Sequence, residues 1–309
     1  MKQFLKIVGI VAVLLYGLNL GLDYAISYKL QHSADRRYIG WSKIINEQLD
    51  ADLVILGNSR AWVQYDPAIL DSILHINSFN MGIDGSGFNR QILRYEVYNR
   101  YQAKMPRWIV MNIDYFSASD WTIGYEREQF CPFMWNPAAR KEIENVEPMS
   151  WGERYIPVYR YVTYKGLYNV LYEQPWDSKT YKGYMGQDRP WEAKAYEELT
   201  TFHFNADERV MAMFEQFLEE RNAERIQVIF CYAPIYIGFT NKVENLEEFF
   251  ACYKDYAEKY DIPILDYTYH ELSMDTVYFY NASHLNRRGA EIFSTQLAHD
   301  LDSLNLIER

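Results

Sequence analysis

The sequence contains little cysteine. Its 309 residues include three, Cys131, Cys231 and Cys252, and this odd, sparse set does not form a disulfide framework. Cys231 lies in the apolar run IQVIFCYA, where a small core residue is expected, which leaves at most one bridge between the other two. No Cys-x-x-Cys or Cys/His cluster has the spacing of a zinc site, so we expect no metal and no cofactor.

Positive charge is also scarce. Lys and Arg number 31 against 42 Asp and Glu, which gives a net charge of −11. Because phosphate binding requires a basic surface, we exclude nucleic acid as a partner. Apolar residues make up 49% of the chain, enough for a folded core, so general disorder is excluded as well.

A long apolar run stands at the amino terminus. Lys2 and Lys6 precede an uncharged stretch from residue 7 to residue 22. This pattern is typical of a signal peptide or of a single-span anchor. The run has no clear small-x-small cleavage site and no cysteine near its end, so we favour an uncleaved anchor over residues 1–25 and exclude a lipoprotein. Lys2 and Lys6 predict that the amino end lies on the cytoplasmic side and that the rest of the chain is exported. Lys29 and the arginines that follow it weaken this prediction of orientation.

Beyond a connector over residues 26–51, short apolar strands alternate with amphipathic helices. Continuous apolar strands indicate burial on both faces, and the alternation favours a parallel sheet covered by helices. We therefore predict an α/β, flavodoxin-like three-layer sandwich over residues 52–309. Its five-stranded parallel sheet is expected from the segments DLVILG, INSFNMG, RWIVMNIDYF, RIQVIFCYAP and DIPILDYT.

An aromatic-rich insertion interrupts this pattern at about residues 117–205. The chain contains 28 Tyr and 8 Trp, and many of them fall in this segment, which is too long for a plain loop. Two roles are open for these side chains. They can pack a cap against the main domain, which is the simpler interpretation for most of them, or they can stack against sugar rings.

Polar residues follow the first and last predicted strands. Ser59 comes directly after DLVILG, within LGNSR, and His284 precedes the last helix, within FYNASHLNRRG. The simpler interpretations are that LGNSR forms a turn and that His284 has a structural role. Both loops, however, emerge at the carboxyl edge of the sheet, where catalytic groups gather in α/β proteins. Since a serine hydroxyl needs a neighbouring base to become a nucleophile, the two residues together predict a Ser–His pair.

Three short motifs carry a resemblance to a known family. LGNSR, NMGIDGSG and NASHLN, in this order, resemble the SGNH (GDSL-like) hydrolase superfamily. Within it the chain is most similar to the membrane-anchored branch associated with alginate O-acetylation and teichoic-acid alanylation. The resemblance implies that Ser59 is the nucleophile and His284 the base. It also implies an oxyanion hole formed by the backbone N–H groups of Ser59 and Gly85, where a glycine lets the backbone approach closely.

The chain departs from the family pattern beside the histidine. The family has Asp three residues before this His, whereas this chain has Asn281, which can orient the ring but carries no charge. In the serine-protease triad the comparable change lowers kcat about 10⁴-fold. Asp275 and Asp114 are candidate replacement acids, and a Ser–His dyad is the alternative.

A second departure concerns the asparagine that the family contributes to the oxyanion hole. Asn112 is the candidate, but it lies inside the predicted third strand, and Asp114 follows where a loop should begin. Arg60 is expected either in a structural salt bridge or facing a substrate anion.

Two functions remain open. The first is a serine-dependent esterase or O-acyltransferase acting on acyl groups of a cell-envelope glycan, with the domain outside the cytoplasm of a bacterial-type cell and anchored in the inner membrane. Its partners would be an acylated glycan or acyl donor and a membrane acyltransferase. The second is a non-catalytic SGNH-like protein that binds a polymer or assists such an acyltransferase. Asn281 favours the second function, and the ordered set Ser59, Gly85 and His284 favours the first.

Overall fold

The computed structural model describes residues 1–33, 35–119, 127–164, 168, 172 and 181–307. The chain divides into two compact units, the first comprising Met1–Glu47 and Gly124–Trp176 and the second Gln48–Ile123 and Asp177–Arg309. Residues of the predicted insertion therefore belong to both units.

The regular elements of the described residues follow the predicted alternation. The strands are β1 (Leu53–Leu56), β2 (Ser78–Asn80), β3 (Trp108–Asn112), β4 (Gln227–Tyr232), β5 (Ile264–Asp266), β6 (Phe279–Asn281) and β7 (His284–Leu285). The α-helices are α1 (Lys2–Gln31), α2 (Arg36–Asn46), α3 (Ser59–Gln64), α4 (Pro67–Leu74), α5 (Phe88–Tyr101), α6 (Pro137–Val146), α7 (Trp151–Tyr155), α8 (Tyr159–Thr163), α9 (Ala193–Glu197), α10 (Glu208–Ala223), α11 (Ile237–Thr240), α12 (Leu246–Tyr260) and α13 (Arg287–Ser303). The described residues also form 3₁₀ turns at Arg127–Trp135, Glu271–Met274 and Thr276–Tyr278.

The second unit contains the predicted sheet. Its five strands are parallel in the order β2-β1-β3-β4-β5, which is the flavodoxin-like arrangement. The expected fold class is confirmed. β6 and β7 form a separate antiparallel pair between β5 and α13.

Side chains of the central strands alternate between two buried faces, as the period of a strand requires. On one face, Leu53 and Ile55 of β1 join a hydrophobic cluster that includes Phe293 and Leu297 of α13. Helices α5, α10 and α12 supply aromatic rings for the other face. Phe88 stacks on Phe214 at 4.2 Å, Phe214 stacks on Phe230 of β4 at 5.8 Å, and Tyr253 meets both phenylalanines of that second pair edge to face. The result is a three-layer sandwich.

The first unit is built around the carboxyl-terminal part of α1. Ile26 and Leu30 form a buried cluster with Tyr38 of α2, Cys131 and Tyr161 of α8. The predicted connector over residues 26–51 therefore contains the end of α1 and all of α2. The three cysteines are free.

The amino-terminal part of α1 is apolar and exposed. The helix is long and apolar enough to cross a membrane by length and composition, as predicted. The residues of its most apolar stretch have no burial inside the protein, whereas Asp23, Ile26, Ser27 and Leu30 are buried near its other end. The helix thus has a free apolar part and a part anchored in the first unit.

Candidate active site

Ser59 lies at the point where β1 passes into α3. Gly57 ends the strand, and a Cβ atom there would lie 2.5 Å from Cβ of Ala61 and 2.8 Å from Cβ of Asn112. The next residue, Asn58, caps α3, because its side chain accepts a 2.9 Å hydrogen bond from the backbone N–H of Arg60. Glycine thus permits a close turn, and the cap starts the helix with Ser59 as its first residue.

His284 joins Ser59 to Asn281 by two hydrogen bonds. The distance from Nε2 of His284 to Oγ of Ser59 is 2.7 Å, and Nδ1 lies 2.8 Å from Oδ1 of Asn281. β6 and β7 pair Asn281 directly with His284, which holds the amide beside the ring. The structure thus brings together the three residues that the sequence predicted for the catalytic positions.

The Asn281 contacts also determine which histidine nitrogen carries the proton. Oδ1 of Asn281 accepts a 3.1 Å hydrogen bond from the backbone N–H of Ser283, and a backbone N–H can only donate. The amide oxygen therefore faces the ring, and Nδ1 of His284 must donate to it. Nε2 is left with a lone pair that accepts the hydroxyl proton of Ser59. This is the tautomer that a general base requires.

The surroundings of His284 favour its neutral form. The ring stacks on Tyr280, with centroids 5.3 Å apart and planes 15° apart, and the Arg189 guanidinium lies over the Tyr280 ring at 4.9 Å. Burial, followed by repulsion from Arg60 and Arg189, lowers the pKa of His284 to about 3. The group hydrogen-bonded to Nδ1 is the neutral amide of Asn281, so it does not raise this pKa as a carboxylate would.

The glycine motif lies beside the Ser59 turn. After β2 the chain continues along β1, because Met81 N–H donates to Ile55 O at 2.8 Å and Ile83 N–H donates to Gly57 O at 3.0 Å. Gly85 adopts φ +57°, a left-handed conformation that favours glycine. Among the residues that the structure describes, no hydrogen bond uses the backbone N–H of Ser59 or of Gly85. Both predicted oxyanion donors therefore remain available to a ligand.

Asn112 is buried at the end of β3, beneath the same turn. Its Oδ1 accepts a 2.8 Å hydrogen bond from the Tyr65 hydroxyl, and its Nδ2 lies 3.5 Å from Oδ2 of Asp114. The structure describes no hydrogen bond from Asn112 to Ser59 or to His284, although its Nδ2 lies only 3.5 Å from where a Cβ on Gly57 would stand. Its contribution to an oxyanion hole stays a prediction.

Neither candidate replacement acid reaches the histidine. Asp275 caps a 3₁₀ turn by accepting from Val277 N–H at 2.9 Å. Asp114 accepts hydrogen bonds from the Ser117 hydroxyl at 2.6 Å and from two backbone N–H groups, and burial raises the pKa of this carboxyl. Within the described ranges, neither carboxyl is hydrogen-bonded to His284. Asn281 therefore occupies the position that the acid holds in a Ser–His–Asp triad.

Arg60 forms no ion pair with any described residue. Its buried guanidinium donates to Ala233 O and lies over the Tyr232 ring at 4.9 Å. Its Nε and Nη1 have no hydrogen-bond partner in the described part of the chain. Of the two roles expected from the sequence, the structural salt bridge is therefore absent, and a buried cation stands next to Ser59.

Three contacts of the site were not predicted. Ser283 Oγ lies 3.0 Å from Nδ1 of His284, Tyr280 stacks on the ring, and Arg189 covers Tyr280. Ser283 and Tyr280 are sequence neighbours of His284, so the NASHLN motif could have indicated them. Arg189 comes from the aromatic-rich insertion, and no local pattern points to it. No group of His, Cys, Asp or Glu side chains among the described residues could hold a metal ion.

The sequence matches no protein-family model and no curated protein sequence. Comparison with solved structures finds a lipolytic protein of the G-D-S-L family from Desulfitobacterium hafniense, at 14% identity and TM-score 0.41, covering 80% of this chain and 97% of that one. It also finds a platelet activating factor from Streptococcus pneumoniae, at 12% identity and TM-score 0.44, covering 95% and 99% of the two chains. A family two carbohydrate esterase from Clostridium thermocellum has 8% identity and TM-score 0.42, covering 84% of this chain and 66% of that one.

Proposed function

We propose that this protein is a serine-dependent esterase or O-acyltransferase of the SGNH type. The observation that carries the proposal is the 2.7 Å contact between Oγ of Ser59 and Nε2 of His284, with Nδ1 of the same ring held by Asn281. A hydroxyl within hydrogen-bond reach of an unprotonated, oriented base is the arrangement that nucleophilic acyl transfer needs.

The reaction proceeds in two halves. As Oγ of Ser59 bonds to the carbonyl carbon of an acyl ester, its proton passes to Nε2 of His284. The carbonyl oxygen becomes negative, and the backbone N–H groups of Ser59 and Gly85 donate to it. The intermediate then expels the alcohol, which takes the proton from Nε2 and leaves the acyl group on Ser59. In the second half, water or a sugar hydroxyl loses its proton to Nε2 as it attacks this ester. Nε2 then returns the proton to Oγ, and Ser59 is released as the free hydroxyl.

Asn281 makes each half slower than in an Asp-containing triad. When His284 gains a proton, the amide oxygen offers a dipole but no negative charge, and Arg60 and Arg189 repel the imidazolium. In serine proteases the comparable loss of about 10⁴-fold is associated with the wrong tautomer. Here the Ser283 N–H holds the amide oxygen toward Nδ1, so the correct tautomer is retained. The rate should therefore be reduced without being abolished.

We further propose that the acyl group belongs to a cell-envelope glycan outside the cytoplasm. The membrane-length helix α1 and the lysines at its amino end support an anchored, exported protein. The aromatic-rich insertion supports a sugar ligand, because Tyr and Trp can present apolar ring faces to pyranoses. The partners would then be an acylated glycan or acyl donor, together with a membrane acyltransferase that supplies or receives the acyl group.

A non-catalytic role is the second candidate. The observation that favours it is the neutral Asn281 beside a histidine whose pKa is lowered by burial and then by two arginines, since this site stabilises an imidazolium poorly. Such a protein would bind the polymer or assist a membrane acyltransferase without forming an acyl-enzyme.

The deciding experiment uses the full-length protein in detergent and a series of small activated acyl esters. Wild type should release acid slowly, and Ser59→Ala and His284→Ala should each remove that release to a similar extent, because nucleophile and base act as one unit. Mass spectrometry of protein quenched during turnover should find the acyl group on Ser59. Equal background rates in all three proteins, with no acylated Ser59 from any ester or native glycan, would favour the non-catalytic role.

A further inference from the structure

The first unit carries an exposed apolar hairpin formed by α7, α8 and the tip between them, residues 155–158, with the sequence YIPV. Tyr155 and Ile156 are exposed at the tip, and exposed apolar side chains flank it, namely Trp151, Tyr159 and Val162. The segment contains one acidic residue, Glu153, whose side chain is turned inward and accepts from Ser150 N–H at 2.7 Å. The exposed face of the hairpin therefore carries no carboxylate, and its one exposed charge, Arg154, is paired with Glu144 of α6 at 3.2 Å.

This hairpin lies along the part of α1 that would be inside a membrane. The hydroxyl of Tyr16 donates to the Tyr155 carbonyl at 3.1 Å, and Val158 N–H donates to Oδ2 of Asp23 at 2.7 Å. Asp23 is the first charged residue of α1 after Lys6, so it marks where the uncharged stretch of the helix ends. At about 1.5 Å per residue, Tyr16 lies roughly 10 Å from Asp23 along the helix axis. The tip therefore reaches back alongside the apolar stretch.

Four backbone polar groups of the tip are hydrogen-bonded within the protein. Ile156 N–H donates to Gly152 O at 2.9 Å, Val158 N–H is bound by Asp23, and the proline between them has no N–H. The Ile156 carbonyl accepts from Tyr159 N–H at 3.2 Å, and the Tyr155 carbonyl accepts from Tyr16. Irregular backbone at membrane depth is tolerated only when its polar groups are satisfied within the protein.

The charges beside α1 are neutralised at the same level. Asp23 is buried and also accepts from Arg160 and from the Trp135 indole N–H, the latter at 2.7 Å. The exposed Trp135 and Tyr24 pack edge to face near this point, at 5.8 Å. Amphipathic aromatic rings of this kind are enriched where a membrane meets water.

We propose that the tip of the α7–α8 hairpin inserts into the leaflet that surrounds residues 16–22 of α1, so that the protein is held in the bilayer by a spanning helix and by a second, non-spanning contact. The inference rests on the proposed membrane anchoring by α1. The lipid surface is favoured over a protein partner because the exposed face is continuous with the apolar stretch through Tyr16 and Tyr155. Insertion would give the first unit a second contact with the membrane, in addition to the end of α1 that is packed in its core.

Spin labels on the full-length protein test this placement. Ile156→Cys labels the tip, Val13→Cys labels the exposed middle of α1, and Lys141→Cys labels the charged, exposed face of α6 in the same unit. Each variant carries Cys252→Ser, because Cys252 is the cysteine that is not buried. The proteins are placed in vesicles of phosphatidylethanolamine and phosphatidylglycerol, and collision of each label with dissolved oxygen and with a water-soluble nickel chelate is measured.

We expect the labels at 156 and 13 to collide with oxygen and to be shielded from nickel, and the label at 141 to collide freely with nickel. Nickel access at 156 equal to that at 141, with 13 shielded, would overturn the inference while leaving the anchor intact. Shielding of 156 from both reagents would also overturn it, since that result indicates a protein contact. Nickel access at both 13 and 156 would refute the anchor and the insertion together.

Discussion

At the residue scale, the chemistry depends on what Asn281 can do for His284. Its amide oxygen accepts from Nδ1 at 2.8 Å and from Ser283 N–H at 3.1 Å. The amide therefore orients the histidine ring but supplies no negative charge. An aspartate in the same place would accept the same two hydrogen bonds. It would add the negative charge that stabilises an imidazolium next to two arginines.

We expect Asn281→Asp to raise kcat/KM for a small activated ester by about 10-fold or more, within the ceiling of about 10⁴-fold known for serine proteases. Asn281→Ala removes the acceptor and should lower the rate below wild type. The ester hydrolysis rate at neutral pH, measured for all three proteins, checks this. A slower Asn281→Asp protein with an unchanged thermal midpoint would contradict the assigned role of the amide.

The depressed pKa of His284 predicts the pH dependence of the rate. A base works only when unprotonated, so lowering its pKa moves the acid limb of the kcat/KM profile to lower pH. We expect wild-type activity to persist well below the ordinary histidine pKa of about 6.5. Arg189→Gln removes one of the two cations that disfavour the imidazolium, so its acid limb should move to higher pH, while Arg189→Lys keeps the charge and should move it less. Coinciding profiles for the three proteins would show that Arg189 does not act on the base.

At the element scale, the site depends on how closely the glycine motif packs on α3. A Cβ atom on Gly82 would lie 2.3 Å from the backbone nitrogen of Trp62, and Gly82 N–H donates to Oδ1 of Asn80 at 2.8 Å. The turn that presents Gly85 is therefore held directly against the helix that begins with Ser59. Neither can move without displacing the other.

Gly82→Ala should consequently lower both stability and activity. Because the clash is with backbone, relief requires a shift of α3 or of the glycine motif, and overpacking of this kind typically costs about 1–3 kcal/mol. Gly87→Ala is the matched control in the same loop, where the nearest atom, Ser119 O, would be 3.1 Å away. Denaturant unfolding and the ester assay should rank wild type first, Gly87→Ala second and Gly82→Ala last, and the reverse order of the two variants would refute the packing argument.

At the scale of the whole molecule, the proposed membrane location depends on α1. The helix has an exposed apolar part and an end whose buried residues, Asp23 and Leu30 among them, belong to the first unit. An anchor whose last turns are part of a folded core does not separate from it as a flexible leader would. This arrangement favours an anchor that is retained.

We expect the full-length protein to remain with membranes and its second unit to face outward. In intact spheroplasts, a membrane-impermeant maleimide should label Met274→Cys, whose side chain is half exposed, and should label Lys2→Cys only after lysis. Both variants carry Cys252→Ser so that the introduced thiol is the accessible one. The opposite labelling pattern would invert the proposed topology, and recovery of intact protein in the soluble fraction without detergent would contradict the anchor.

The sequence alone was sufficient for the parts of this protein that are written in local patterns. Five apolar segments, alternating with amphipathic ones, predicted the parallel sheet, and one uncharged run predicted α1, because burial on both faces and membrane length each select composition directly. Ser59 follows β1 and His284 precedes α13. Because parallel strands end at one edge of a sheet, these positions predicted that the two residues would meet.

Only the tertiary structure decided which contacts those residues make. The contact between Ser59 and His284 joins residues 225 positions apart. The absence of an ion pair at Arg60 among the described residues depends on what folds around it, and Arg189 reaches Tyr280 from a distant insertion. Likewise, the packing of Tyr155 against Tyr16 joins segments that share no local pattern. Hydrogen bonds, desolvation and charge act through space over a few ångströms, whereas a sequence records neighbours only along the chain.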